Sequence, residues 1–430
     1  MVNSVKKIHF VNMAYDGVTT IHSGVGQCVH NIARAIRLAK NNEVRVALHL
    51  LTPNYPKVIL APGIDVLRLS QNICQQSGGE VVFLPYTTAI KNQFGTIEFW
   101  REVSEQAASY LEQLSLSISP EDKIIALCHD TAFAGVARML ANKNMGSRLH
   151  LDWLPHCTGK LYEGKDFDVD RFDWETDALQ YSPTKRMDYR VGVLSDFIEG
   201  HLIADFGAPR ERLFRFRNGI ITEEPNNNDS LIIDEALRKE GIPTRTNLFF
   251  SWGRGNHVKG FDIFLETAKH LQEQHGYYPV LLMPPAQEDL AFTDEIVALR
   301  RRLALDCSII QRFDADLPRQ ILSHPLTKMV ALLSRTDVFP TTAMEARLYA
   351  HSAILVASRR GGLAEQVKDG EDGYIVPIDT RQECLSAFDR ILQDRERWPG
   401  VSTQGKKRVL ADYNLSRNLG TYLSEIQGEQ

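Results

Sequence analysis

Phe249-Phe250-Ser251-Trp252-Gly253-Arg254-Gly255-Asn256-His257-Val258-Lys259-Gly260-Phe261-Asp262 reads as an apolar strand, a turn carrying one arginine and one lysine, and the opening of a helix. The run 247–252 fits a strand buried on both faces, and the apolar spacing over 260–274 fits a helix with one buried side. The turn seats Arg254 and Lys259 beside a helix start, where N–H groups and the positive end of the helix dipole favour an anion. A pyrophosphate that gains charge as a bond breaks suits such a place. A strand-end turn with two solvated cations has the same spacing.

Outward from this segment, apolar runs alternate with helical patterns. Strands are expected at 7–13, 44–51, 123–127, 149–154, 189–193 and 213–217, with helices at 26–38, 99–114 and 131–140. Thr222-Glu223-Glu224-Pro225-Asn226-Asn227-Asn228-Asp229-Ser230 is polar and aperiodic, as a linker is. Beyond it the alternation restarts, with strands at 280–283, 307–311, 329–333 and 353–357, a helix at 292–303 and a helix start at 363–367. Strands alternating with helices imply parallel sheets covered on both faces. The expected fold class is α/β, with Rossmann-like domains at 1–222 and 223–402. A helical tail, 403–430, has the option of returning to the first domain.

Composition narrows the class. The chain of 430 residues carries a net charge of −5, and its first 220 residues are balanced. No basic excess marks a nucleic-acid-binding half, and Arg210-Glu211-Arg212-Leu213-Phe214-Arg215-Phe216-Arg217 reads as a solvated turn and strand. Six cysteines are scattered without metal-ligand spacing, which suits a reducing compartment and a cytoplasmic protein. No run approaches the ~20 apolar residues of a membrane span, and no signal peptide is legible.

Further turns fall at strand ends. Ser358-Arg359-Arg360-Gly361-Gly362-Leu363-Ala364-Glu365-Gln366-Val367 follows an apolar strand, and its glycines admit backbone close to a phosphate or sugar. A plain strand-to-helix turn fits it equally. His22-Ser23-Gly24-Val25-Gly26 lacks the third glycine of a dinucleotide fingerprint, since that position is Val29, and the second strand runs into Leu51-Thr52-Pro53 without an acidic residue. NAD binding is thereby rejected. Cys128-His129-Asp130 ends a strand, where His129 is either a ligand contact or a hydrogen-bonded structural group. Asp166-Phe167-Asp168 contains a DxD but follows no apolar strand, so a solvated acidic loop is the reading and no metal is expected. Trp153 and His156, in Trp153-Leu154-Pro155-His156, are candidates for the acceptor side, with an ordinary core tryptophan as the alternative.

Taken in order, these segments resemble glycosyltransferase family four, the retaining GT-B enzymes that include glycogen and sucrose synthases and bacterial mannosyltransferases. The likeness runs through Ser23-Gly24-Val25-Gly26, His129-Asp130, Phe206-Gly207-Ala208-Pro209, Asn218-Gly219-Ile220, Gly253-Arg254 with Lys259-Gly260, Asp337 with Glu345-Ala346, Gly361-Gly362-Leu363 with Glu365, and Asp369-Gly370 with Gly373. The resemblance implies two domains facing each other across a cleft. The reaction it implies is transfer of a hexosyl unit from a nucleoside diphosphate sugar, a UDP-sugar favoured, to a small-molecule or saccharide acceptor, without a cofactor. It implies that Arg254 and Lys259 hold the phosphates, that Gly24 and Gly26 line the leaving group, and that His129 touches the sugar. Gly361, Gly362 and Leu363 would offer backbone N–H groups, and the departing phosphate would take the acceptor proton. The family's two glutamates stand eight positions apart. Here Asp337 falls at the first and Glu345 at the second, or else Glu345 is the first and Ala353 stands at the second. A phosphorylase on the same fold, or a nucleotide-binding homologue without catalysis, are the alternatives.

Overall fold

The computed structural model describes residues 7–21, 23–38, 45–54, 65–88, 95–145, 148–182, 187–222, 230–286 and 289–428. The chain divides into two compact units, Met1–Ile221 with Leu415–Gln430, and Thr222–Asn414.

The first unit is built on β1 (Lys7–Met13), β2 (Arg45–Pro53), β3 (Val81–Leu84), β4 (Lys123–His129), β5 (Arg148–Leu154), β6 (Met187–Val193) and β7 (Leu213–Arg215). They form one sheet in the order β3-β2-β1-β4-β5-β6-β7 with every pairing parallel. β1 lies inside the sheet, with Phe10 opposite Leu48 on one side and Ile125 on the other. Parallel neighbours need a crossover, and helices such as Gly24–Leu38 and Ile97–Ser117 supply it. Helix Ile97–Ser117 starts where Thr96 caps the N–H of Phe99, and it buries Phe99, Trp100, Val103, Ala107 and Leu111 along one stripe.

The second unit repeats the plan with β8 (Leu248–Trp252), β9 (Tyr278–Leu282), β10 (Ser308–Ile310), β11 (Thr327–Leu332), β12 (Ile354–Ser358) and β13 (Tyr374–Val376). The order is β10-β9-β8-β11-β12-β13, again parallel throughout. Successive residues of β8 serve opposite cores. Phe249 stacks on Phe264 at 4.6 Å, while Phe250 stacks on Trp252 at 5.0 Å among the residues of the other face. In each unit the winding reverses beside the first strand, between β1 and β4 and between β8 and β11. Ligands of doubly wound sheets gather beyond the carboxyl ends at that point.

The tail differs from its expected boundary. A break at 402/403 would cut helix Trp398–Asp412, which belongs to the second unit. The following helix, Leu415–Gly428, packs in the first unit. There the N–H of Leu415 donates to the carbonyl of Ile220 at 3.1 Å and Tyr422 donates its hydroxyl to Oδ2 of buried Asp152 at 2.7 Å. Arg190 holds the same carboxylate through two contacts of 3.1 Å and lies over the ring of Phe214, which stacks on Tyr422. Most of the expected linker, 223–229, lies outside the described residues, and Ser230 already opens helix Ser230–Lys239.

Candidate active site

Three turns meet at the switch point of the second unit. The first leaves β8, passes Arg254 and ends in a single turn of tight helix, His257–Lys259, before helix Phe261–His275. The second leaves β11 and carries Ser334, Arg335 and Asp337. The third, Gly361–Gln366, follows β12 and is 3-10 helix, at and just before the helix start expected at 363–367. Lys259 places Nζ 2.5 Å from Oδ2 of Asp337, and both side chains are mostly buried. Gly361 has φ +58°, and a Cβ there would lie 2.4 Å from the carbonyl oxygen of Asp337, so the third turn closes on the second only with glycine at this position. The N–H of Gly362 donates to that same carbonyl at 2.8 Å, and the hydroxyl of Ser358 to the carbonyl of Ser334 at 2.6 Å.

One of the expected donors is already in use: the amide of Gly362 is engaged by the carbonyl of Asp337, while the side chain of Leu363 is buried as core. The helix mouth beside Lys259 is also partly taken. Asp262 stands in its first turn, and Arg335, together with the N–H groups of Ile263 and Asp262 itself, holds that carboxyl below the usual range against the effect of burial. Positive charge at this place therefore comes from Lys259 and partly exposed Arg254 more than from free helix-terminal amides. Arg335, which sequence reasoning passed over, makes a paired contact with Asp262 at 2.9 and 2.6 Å and donates to the carbonyl of His257 at 2.8 Å.

Glu345 lies in helix Thr341–Tyr349, partly accessible, and burial pushes its carboxyl up to about 7 while a hydrogen bond from Thr341 works the other way. Two residues on, buried Arg347 donates to the carbonyl of Gln366 at 2.7 Å, joining the Glu345 helix to the end of the glycine turn. Glu365 lies in that turn, partly exposed, and its carbonyl accepts from Arg408 at 3.4 Å.

In the first unit the turn after β1 has a carboxylate at its centre. Oδ1 of Asp16 accepts from the N–H of Gly17 at 2.8 Å and from Thr20 at 2.9 Å; Oδ2 accepts from the N–H and hydroxyl of Ser23, each at 2.8 Å. Ser23 in turn accepts from the N–H of Gly26 at 3.0 Å, as a helix cap does. A Cβ on Gly26 would stand 2.2 Å from Oδ2 of Asp16. Gly26 thus makes room for the protein's own anion on its Cα side; Gly24 is exposed, with nothing within 4 Å of a Cβ. His22 lies outside the described residues.

His129, at the end of β4, is 0% exposed. Its Nε2 meets Oδ1 of Asn12 at 2.7 Å and its Nδ1 meets Nε2 of His156 at 2.8 Å, with the two rings stacked 5.1 Å apart. With the amide of Asn12 assigned this way round, His129 donates to Asn12 and His156 donates to His129. Burial, and then the neighbouring His156, holds His129 well below its ordinary pKa, and burial takes His156 down to about 3, so both rings are neutral. The expected sugar contact of His129 is corrected on this geometry: its ring has no open edge, and His156, partly exposed beyond it, is the accessible end of the pair. For Trp153 the core alternative fits the geometry. It is 1% exposed and donates Nε1 to the carbonyl of Asp130 at 2.9 Å, so it serves as core and not as a platform.

The acidic segment is structured. Asp168 caps helix Val169–Gln180, accepting from the N–H groups of Asp170 and Arg171. Within that helix Glu175 is buried, and its carboxylate takes the hydroxyl of Thr131 at 2.6 Å, Arg171 at 2.9 Å and the N–H of Gly159 at 3.1 Å. This anchor joins the turn after β4 to the turn after β5, which carries His156. Among the described residues no group of three or more His, Cys, Asp or Glu is placed to hold a metal ion, and no helix is long and apolar enough to cross a membrane.

Two doubly wound parallel sheets with these turns at their switch points define the fold class, and solved structures that share the fold include glycosyltransferases. A glycosyltransferase from Rickettsia africae superposes with a TM-score of 0.70 at 12% identity, covering 99% of this chain and 100% of that one. Sucrose-phosphate synthase from Thermosynechococcus elongatus gives 0.71 at 16% identity, with 99% and 100% covered. Anabaena Alr3699/HepE in complex with UDP gives 0.68 at 14% identity, with 98% and 99% covered. Residues 232–408, which hold all three turns of the second unit, match the family model of glycosyl transferases group 1. D-inositol 3-phosphate glycosyltransferase of Corynebacterium aurimucosum is 25% identical over 199 residues, 46% of this chain and 47% of that protein. The chain thus spans about half the length of the curated relatives it matches.

Proposed function

We propose that the protein moves a hexosyl unit from a nucleoside diphosphate sugar, a UDP-sugar in first place, to a hydroxyl of a small-molecule or saccharide acceptor. The anomeric configuration is retained and no metal ion takes part. The observation that carries this reading is Lys259 held against Asp337 at 2.5 Å, with Arg254 on the same turn, beyond the carboxyl end of the first strand of its sheet. A cation on a displaceable carboxylate suits a diphosphate whose charge grows on departure. Glu345 takes the nucleoside side, the leaving phosphate takes the acceptor proton, and orientation of the two substrates supplies most of the rate. The group 1 match over 232–408 and the UDP held by the Anabaena structure support the donor class. The balanced charge of the first 220 residues favours a neutral sugar or polyol acceptor, and a cytoplasmic location belongs to the same reading.

The test is UDP release from UDP-glucose and related donors with candidate acceptors, with and without a chelator, and NMR assignment of the new anomeric centre. Transfer with retention, indifferent to the chelator, is the expected result. A second reading, a nucleotide-binding homologue without catalysis, draws on the shortened Asp337 being engaged by Lys259. UDP binding without turnover on any donor and acceptor would favour it.

A further inference from the structure

We propose that Arg335 is a positioning residue for the donor's diphosphate, acting by fixing the turn that carries Lys259. The proposal rests on the donor reading above.

Arg335 belongs to the turn after β11, whereas Lys259 belongs to the turn after β8. Its backbone N–H donates to the carbonyl of Val258 at 2.7 Å and Nη1 donates to the carbonyl of His257 at 2.8 Å. Both carbonyls that precede Lys259 in its tight turn are therefore held by one residue. The guanidinium then reaches past them, pairing with Oδ1 and Oδ2 of Asp262 in the first turn of the next helix at 2.9 and 2.6 Å. A single turn of 3-10 helix has poor hydrogen-bond geometry and little stability of its own. The N–H of His257 is fixed from another side by Asp289 at 2.9 Å. Arg335 closes the remaining side of the bracket.

Two features separate this role from direct phosphate binding. Nη1 and Nη2 are both committed to protein oxygens, and the charge of Arg335 is matched by Asp262. Arg335 therefore acts on a ligand through Lys259, by keeping the ammonium in place. Lysine in its stead would reach one oxygen at a time and could not form the planar two-point contact.

Calorimetric affinities for UDP and UMP, in the wild type, Arg335→Ala, Lys259→Ala and the double variant, test the proposal. The wild type is expected to prefer UDP. Arg335→Ala is expected to lose about tenfold for UDP and under about twofold for UMP. In the Lys259→Ala background the same change is expected to cost under about twofold for either ligand, because the group it positions is gone. Arg335→Lys recovers only part of the loss. Equal losses for UDP and UMP, or the same UDP loss with and without Lys259, would overturn the proposal. If Arg335→Ala does not fold, Asp262→Asn, which weakens the far end of the bracket, serves with the same readout and a smaller loss. A wild type that binds UDP no better than UMP would overturn the donor reading itself. A wild-type preference that survives in Arg335→Ala would overturn the bracket alone.

Discussion

The ammonium of Lys259 and the carboxylate of Asp337 stand 2.5 Å apart, so the cation assigned to the donor phosphates already has an anionic partner. A glutamate at position 337 would carry one more methylene. The pair makes the carboxylate a competitor of the diphosphate, which has to displace it.

Asp337→Asn is therefore expected to tighten UDP binding by about fivefold, the scale of about 1 kcal/mol for a largely buried pair. Transfer is expected to fall, because the carboxylate also ties the turn after β8 to the turn after β11 through Lys259. Calorimetry with UDP, which lacks the transferred hexosyl unit, separates this from direct contact between Asp337 and that unit. Unchanged UDP affinity with weaker binding of the intact donor would show that Asp337 serves the sugar.

Glu345 gives a pH-dependent test. Its carboxyl is raised from 4.5 to about 7 in the folded chain, so the unfolded chain releases the proton first. Folding stability from this group is fully present below pH 4.5 and is lost as pH rises through about 7. Glu345→Gln is expected to melt higher than the wild type at pH 8, by a margin on the order of 1–3 kcal/mol, and to converge with it at pH 4. If the ionised carboxylate binds the donor, wild-type kcat/KM rises across pH 7 and the variant loses that limb. A constant melting difference from pH 4 to 8 would contradict the raised carboxyl.

Much of this was legible in the chain itself. The strand and helix alternation, the Arg254 and Lys259 turn, and Asp337 with Glu345 are local patterns whose spacing survives in one dimension. What escaped depends on contacts between distant segments. Asp16 is an unremarked loop residue until Gly26, on the following helix, is seen to leave room for it. Arg335 becomes informative only when β8 and β11 lie side by side. His129 and His156 stand 27 positions apart in the chain, and their contact exists only because β4 and β5 lie side by side. The polar tail hid two helices with different destinations, because a break at Tyr413-Asn414 carries no glycine or proline to mark it.

Gly26→Ala places a methyl group against Asp16 and is expected to cost about 1–3 kcal/mol by overpacking, read as a lower melting temperature. Asp16→Ala alone is also expected to destabilise, since it leaves the Ser23 cap unsupported. Combined with Gly26→Ala it should cost less than the two separate losses together. Strict additivity would contradict the interlock.

Tyr422→Phe removes a buried donor to Asp152 while keeping the ring against Phe214. The expected cost is about 1–3 kcal/mol, because Asp152 is 0% exposed and loses one of its partners. Denaturant unfolding measures it. No change in midpoint would mean that the ring alone seats the C-terminal helix.

The rate of sugar transfer by Lys259→Ala, measured beside its thermal melt, bears most directly on the enzyme assignment. The expected result is a fall in kcat/KM of about 100-fold or more with a melting temperature within a few degrees of the wild type. Near-normal turnover in a folded variant would contradict the phosphate-holding role of this side chain, and with it the proposed chemistry.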